Sequence, residues 1–305
     1  LQNNFLVSDV SRFVLCFGVN GLGSGTMDPM LVRWSDQEDP SNWTPAITNQ
    51  AGDLRLSIGS QIVTARQTRQ EILVWTDSAL YSLQYLGPPF VWGAQSVGEN
   101  ISIISPNAVT TANNVTYWMG TDKFYKYDGR LQTLRCDLRQ FIFQNADPGQ
   151  TLNQNQTEQV FASTVEAYNE IWWFYCSSNS TSPNRYVVYN YVEDVWYYGT
   201  MGRTAWLDSG LSSNPIATTP TGFLMNQETG VDDGDTGTLL PMEAYITSAE
   251  IDISDGHNFG FIWRLLPDLT FRGSTAVTPV ANFSLLPLQN SGSGYNNPAS
   301  VGGSN

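Results

Sequence analysis

Histidine is almost missing from this 305-residue chain, and lysine and arginine together number 14 against 28 carboxylates. The resulting formal net charge of −14 opposes binding to nucleic-acid phosphates by counterion release, so sequence-specific DNA binding is not expected. Cysteine is nearly as scarce. Cys16, Cys136 and Cys176 are too few and too scattered for a disulfide framework or a zinc site with paired ligands, and are expected to be buried thiols. No apolar run approaches the ~20 residues that cross a bilayer, and the opening "LQNNFLVSDVSR" has neither a basic nor a hydrophobic leader region. The chain starts without an initiator Met.

Helical patterning is also lacking, since segments rich in Ala, Leu, Glu and Lys with i, i+3, i+4 apolar spacing are nearly absent. Aromatic residues dominate instead, with 10 Trp, 14 Tyr and 14 Phe, while charged residues make up only 14%. Burying each ring contributes roughly 2–3 kcal/mol, and the length permits one large β domain or two smaller units. Short runs of Val, Ile, Tyr, Trp and Thr between Gly, Pro, Asn and Asp predict an all-β chain. The clearest are 12–19, 30–35, 61–67, 71–87, 114–129, 170–178, 185–199 and 221–230.

Several runs share one plan: an apolar strand, a turn with Asp or Asn, then a strand whose tyrosines alternate with polar residues. "ILVWTDSALYSLQ" turns at Asp77-Ser78, "VTYWMGTDKFYKYDG" turns at Gly120-Thr121-Asp122 and ends in a tight turn, and a third unit loops through Pro183. Units starting near Phe13, Glu71, Asn114, Glu170 and Gly222 lie 43 to 58 residues apart, near the period of propeller blades. The expected fold is therefore a β-propeller over residues 1–240. In "RWSDQEDPSNWTP", Trp34 is expected to end one strand and Trp43 to begin the next, with both rings packed between sheets. Residues 241–290 change to three long alternating runs, predicting an additional C-terminal antiparallel β module. Residues 291–305, rich in Gly, Ser and Asn, predict a flexible tail.

Candidate chemistry is thin. The loop 228–237 offers Glu228, Asp232, Asp233 and Asp235, but it lacks the residue order of a calcium loop and is expected to be a solvated inter-domain turn. His257, alone of its kind, lies in "SDGHNF" without a nucleophile motif and is expected in a surface turn. Asp36, Glu38, Asp39, Asp77, Glu99, Asp122 and Glu170 fall near predicted turns, where propeller glycosidases place acids. The arginines that would accompany them are spread along the chain. "SDQEDPSNW" only partly matches the Asp-box of sialidases, because the box's Gly is missing. No phosphate loop, CxxC pair or HExxH is present, so no catalytic, cofactor or metal residues are assigned. The Asn-x-Ser/Thr triplets at Asn42, Asn100, Asn114, Asn155, Asn179 and Asn282 are ascribed to chance in a chain rich in these residues.

The succession "VRWSDQEDPSNWTP", "AGDLRLSIGSQIV", "EILVWTDSALYSLQYLGPPFVWG", "GENISIISPNAV", "VTYWMGTDKFYKYDGR" and "IWWFYCSS…RYVVYNYVEDVWYYG" resembles the tail nozzle, or tail tubular and packaged-DNA stabilisation, proteins of short-tailed bacteriophages. The resemblance spans residues 12 to 290. It implies a structural virion protein without catalysis. Six copies would ring a channel below the portal and adaptor, contact other tail proteins, retain packaged DNA and let it pass at ejection. No active-site residues carry over. The acidic loop bearing Glu228, Asp232, Asp233 and Asp235 is expected to face the channel or solvent, and a negative wall would repel passing phosphates over about one Debye length, ~8 Å at physiological salt. The alternative is a receptor- or glycan-binding tail protein using exposed Trp34, Trp43 or Trp92.

Overall fold

The computed structural model describes residues 4–144, 149–210, 212–230, 232–233, 240–241, 245–248, 251–252, 254–258, 260–271, 278–288 and 299–303. The chain divides into two compact units, Leu1–Leu240 and Pro241–Asn305.

Strand formation in the first unit follows the apolar runs, and strands adjacent in sequence pair antiparallel into successive sheets. Blade 1 contains β1 (Asn4–Ser8), β2 (Phe13–Phe17), β3 (Leu31–Trp34) and β4 (Gly52–Arg55). Blade 2 contains β5 (Ile62–Gln67), β6 (Ile72–Thr76), β7 (Ala79–Gly87) and β8 (Val91–Glu99). Blade 3 contains β9 (Val109–Ala112), β10 (Val115–Met119), β11 (Phe124–Tyr127) and β12 (Leu131–Leu134), followed by the short helix α1 (Arg139–Phe143). Blade 4 contains β13 (Phe161–Val165), β14 (Glu170–Tyr175), β15 (Arg185–Asn190) and β16 (Val195–Thr200). Blade 5 is three-stranded, with β17 (Ala205–Leu207), β18 (Ile216–Thr218) and β19 (Leu224–Asn226). Each blade is a meander in sequence order.

The blades stack through their faces. One core cluster joins blades 1 and 2, a second joins blades 2, 3 and 4, and a third joins blades 4 and 5. Every seam has an aromatic pair: Phe13 meets Trp92 at 5.8 Å, Trp75 meets Trp118 at 5.3 Å, Phe124 meets Trp173 at 4.9 Å and Trp172 meets Trp206 at 5.4 Å between ring centroids. Trp75, Trp118 and Trp173 are fully buried. Both faces of an interior strand are thus covered by neighbouring blades, which is why β6 "ILVWT" and β14 "EIWWFY" are buried at every position and read as continuous apolar runs rather than alternating ones. Successive meander blades packed face to face make the fold a β-propeller.

Several boundaries differ from the sequence expectation. Phe13, Glu71, Asn114 and Glu170 mark the second strand of blades 1 to 4, and Gly222 lies in the turn between β18 and β19. The first strands are weakly apolar, and pairing rather than composition defines them. Trp43 does not begin a strand. The next strand starts at Gly52, and residues 35–51 form one long loop. Its length comes from side chains that replace ladder hydrogen bonds, such as Asp36 accepting the Gln37 and Gln50 amides at 2.8 Å each.

In the second unit β22 (Ala281–Leu285) pairs antiparallel with β23 (Ala299–Gly303), so part of the Gly/Ser/Asn-rich stretch is a strand. Of the other two alternating runs, the described residues 245–248, 251–252 and 260–271 form no strand. A short two-stranded sheet pairs β20 (Asp232–Asp233) with β21 (Leu240–Pro241).

Candidate functional site

Meander connectivity puts the turn after a blade's first strand and the turn after its third strand at the same end, and the remaining connections at the other end. Contacts between blades show that these ends form common faces. Glu166, after β13, donates its amide to Asp208 Oδ2, after β17, at 2.8 Å. Thr68–Glu71, after β5, line a cleft of about 240 Å³ with Asn114 and Asp128 of blade 3. The blade 1 loop 36–50 borders a depression with Pro88 of blade 2, and Tyr191, after β15, stacks near Tyr117 of β10 at 6.1 Å.

The two faces differ in charge. On the face just described, turns between strands bring Asp9, Asp36, Glu38 and Asp39 from blade 1 and Glu71 from blade 2. Asp128 comes from blade 3, Glu166, Glu193 and Asp194 from blade 4, and Asp208 and Glu228 from blade 5. Against these eleven carboxylates stand three cations among the described residues, Arg12, Arg69 and Arg130, a difference of −8. The described turns of the opposite face hold five acids (Asp28, Asp77, Asp122, Asp137 and Glu158) and four bases (Lys123, Arg135, Arg139 and Arg203), a difference of −1.

The seven carboxylates considered for glycoside chemistry are not brought together. Asp36, Glu38 and Asp39 lie in the blade 1 loop, Asp77 and Asp122 are in turns of the opposite face, Glu99 ends β8, and Glu170 begins β14. Most are bound into turns. Asp39 Oδ1 accepts the Ser41 amide at 3.0 Å and its hydroxyl at 2.6 Å, which holds its carboxyl below the ordinary value. Asp77 is opposed by burial, yet hydrogen bonds from Ser60 and Gln61 outweigh it and hold its carboxyl below the ordinary value. Asp122 is paired with Arg139 at 2.9 Å.

Glu170 is the exception in burial. Its Oε2 accepts the indole N–H of Trp172 at 2.9 Å, and its Oε1 accepts the hydroxyl of Tyr197. Burial and this carboxylate together raise the Tyr197 phenol well above its ordinary value. Glu228 lies close enough that burial first, and then the charge on Glu170, raise its carboxyl. Of the loop expected to face the channel or solvent, Glu228 therefore sits beside blade 4, Asp232 and Asp233 form β20, and Asp235 lies outside the described residues.

Two of the three tryptophans proposed as exposed stacking platforms are enclosed. Trp34 lies between blades 1 and 2 with its Nε1 donating to Gln50 O at 2.8 Å, and Trp92 packs on Phe13. Trp43 is half-buried and donates to Pro40 O at 2.8 Å. Apolar rings in this chain fill the seams between blades, so the expected exposure of Trp34 and Trp92 is corrected. Cys176 is buried and Cys16 and Cys136 are half-buried, and all three are free thiols. His257 is exposed in a turn.

The cleft between blades 2 and 3 was not anticipated from sequence. Inside it Tyr127 is raised in pKa by burial first and then by hydrogen bonding to Glu71, whose carboxylate also accepts from Ser82. The available signal was Asn113-Asn114, both at positive φ (49° and 63°), which marks a tight hairpin turn without revealing what lies across from it. Among the described residues no group of three or more His, Cys, Asp or Glu could hold a metal ion, and no helix is long and apolar enough to cross a membrane.

No family model matches the chain, and no curated protein matches it. Solved structures similar to it include Hsv2 of Kluyveromyces marxianus (9% identity, 69% of this chain and 57% of that chain, TM-score 0.37). Hsv2 of Kluyveromyces lactis shares 10% identity over 81% of this chain and 70% of that chain, with a TM-score of 0.37. The N-terminal domain of Nup159 shares 8% over 79% and 78%, with a TM-score of 0.33. Such distant likenesses say nothing of function, and the propeller assignment rests on the strand connectivity and the seams.

Proposed function

We propose that the chain is a structural virion protein, a subunit of a bacteriophage tail nozzle. It assembles as a homohexameric ring, forms a conduit for DNA, retains packaged DNA until ejection, and catalyses no reaction. Its location is the phage tail, its partners are further copies, the head-to-tail adaptor and other tail proteins, and DNA passes through transiently and without sequence preference.

The observation that carries this reading is the sequence succession that resembles tail nozzle proteins, whose principal stretches each fall within a single blade. "VRWSDQEDPSNWTP" covers β3 and the blade 1 loop, "EILVWTDSALYSLQYLGPPFVWG" most of blade 2, "VTYWMGTDKFYKYDGR" the middle of blade 3, and "IWWFYCSS…RYVVYNYVEDVWYYG" most of blade 4. One physical feature supports a scaffold role: aromatic seams between blades give a stiff body. Electron microscopy of purified virions tests it: density for this chain in an axial six-fold ring with a central hole is expected, and density in fibres or the capsid shell overturns it.

A further inference from the structure

Turn tips of a soluble blade are ordinarily polar, because they are the most solvated part of a hairpin. Here five of them carry a large apolar side chain that is more than half exposed: Val10 and Ile47 in blade 1, Phe90 in blade 2, and Tyr168 and Val192 in blade 4. All five belong to the turns after first and third strands, so all five lie on one face. The opposite face has two such tips among the described residues, Leu22 and Phe223. None of the five side chains belongs to a core cluster between blades.

We infer that this face docks a second, different protein whose contacting surface is basic and offers apolar pockets to the turn tips. Apolar tips alone would fit many occupants, and the charge selects among them. The same turns hold eleven carboxylates against three arginines. Two copies meeting through this face would oppose like charges. A copy presenting the other face, where five acids meet four bases, would offer no cationic complement. Nucleic acid is disfavoured because its phosphates would face the carboxylates. A basic protein gains on both counts, since long-range attraction speeds encounter and apolar anchors set the dissociation rate. The inference does not depend on the nozzle reading, and a propeller of any other role would present the same face.

The test uses the full chain and an amphipathic peptide of Lys and Leu as the probe, with affinity measured by fluorescence anisotropy in ~0.1 M salt. The triple variant Val10→Ser, Phe90→Ser, Val192→Ser should bind at least ~10-fold more weakly, whereas Leu22→Ser with Phe223→Ser should change affinity less than ~2-fold. Hydrogen exchange on the unaltered chain should show protection by the peptide at 9–12, at Phe90 and at 191–194, a readout independent of how any variant folds. Equal loss in both variants, protection on the opposite face, tighter binding to a DNA duplex than to the peptide, or a homo-oligomer that the triple variant dissolves would overturn it. Failure of the ring in virion images would leave this inference standing, and failure of the peptide assay would leave the ring reading standing.

Discussion

Glu170 accepts a hydrogen bond from Tyr197 two strands away and another from Trp172 two residues along its own strand, so one buried carboxylate links β14 to β16 across β15. Deleting it leaves a buried indole N–H and a phenol without their acceptor. Each unsatisfied group costs about 1–3 kcal/mol, so Glu170→Ala should lose about 2–4 kcal/mol in urea unfolding, and Glu170→Gln clearly less. Equal loss in the two variants would contradict a role as a shared acceptor.

Glu228 lies near that carboxylate and has a raised pKa, from burial and then from Glu170. A carboxyl held above its unfolded value binds its proton more tightly in the folded state, so the folded form gains stability as pH falls from neutral through the raised value. Asp77 acts in the opposite direction. Its lowered pKa contributes stability above the ordinary carboxylate value that is lost as pH falls below it. A Tm profile should therefore rise on mild acidification before it falls, and Glu228→Gln should flatten the rise while leaving the acid limb in place.

Trp34 and Gly52 are packed so closely that a Cβ on the glycine would sit 2.7 Å from Trp34 Cζ2. Gly52→Ala should cost about 1–3 kcal/mol by forcing the ring off its site. Trp34→Ala should cost about 3–5 kcal/mol, and in that background Gly52→Ala should become nearly neutral. A double-mutant cycle by chemical denaturation measures the coupling, and additivity within ~0.5 kcal/mol would show that the ring has room to move.

The thiols of Cys136 and Cys176 are pushed up to about 12 and about 11, mainly by burial. At pH 8 their reactive thiolate is scarce. Labelling with a disulfide reagent should be at least ~10-fold slower in the folded protein than in denaturant, where all three cysteines become accessible. Rapid native labelling of both thiols would contradict the packing of blades 3 and 4.

The strand-rich runs, the Asp77-Ser78 and Gly120-Thr121-Asp122 turns and the blade period were legible because second strands such as β6 and β14 are covered on both faces and read as continuous apolar runs. The first strands were less clear, since "FASTV" and "VTTA" are defined by pairing with a neighbour that the chain reaches only later. By itself the sequence determined the class of structure and its overall negative charge, through residue types whose preferences act over a few neighbours. Only the tertiary structure decided where that charge and the exposed apolar tips lie, because alternate turns of a meander meet on one face, and because stacking blades sends Trp34 and Trp92 into a seam that local patterning could not distinguish from the surface.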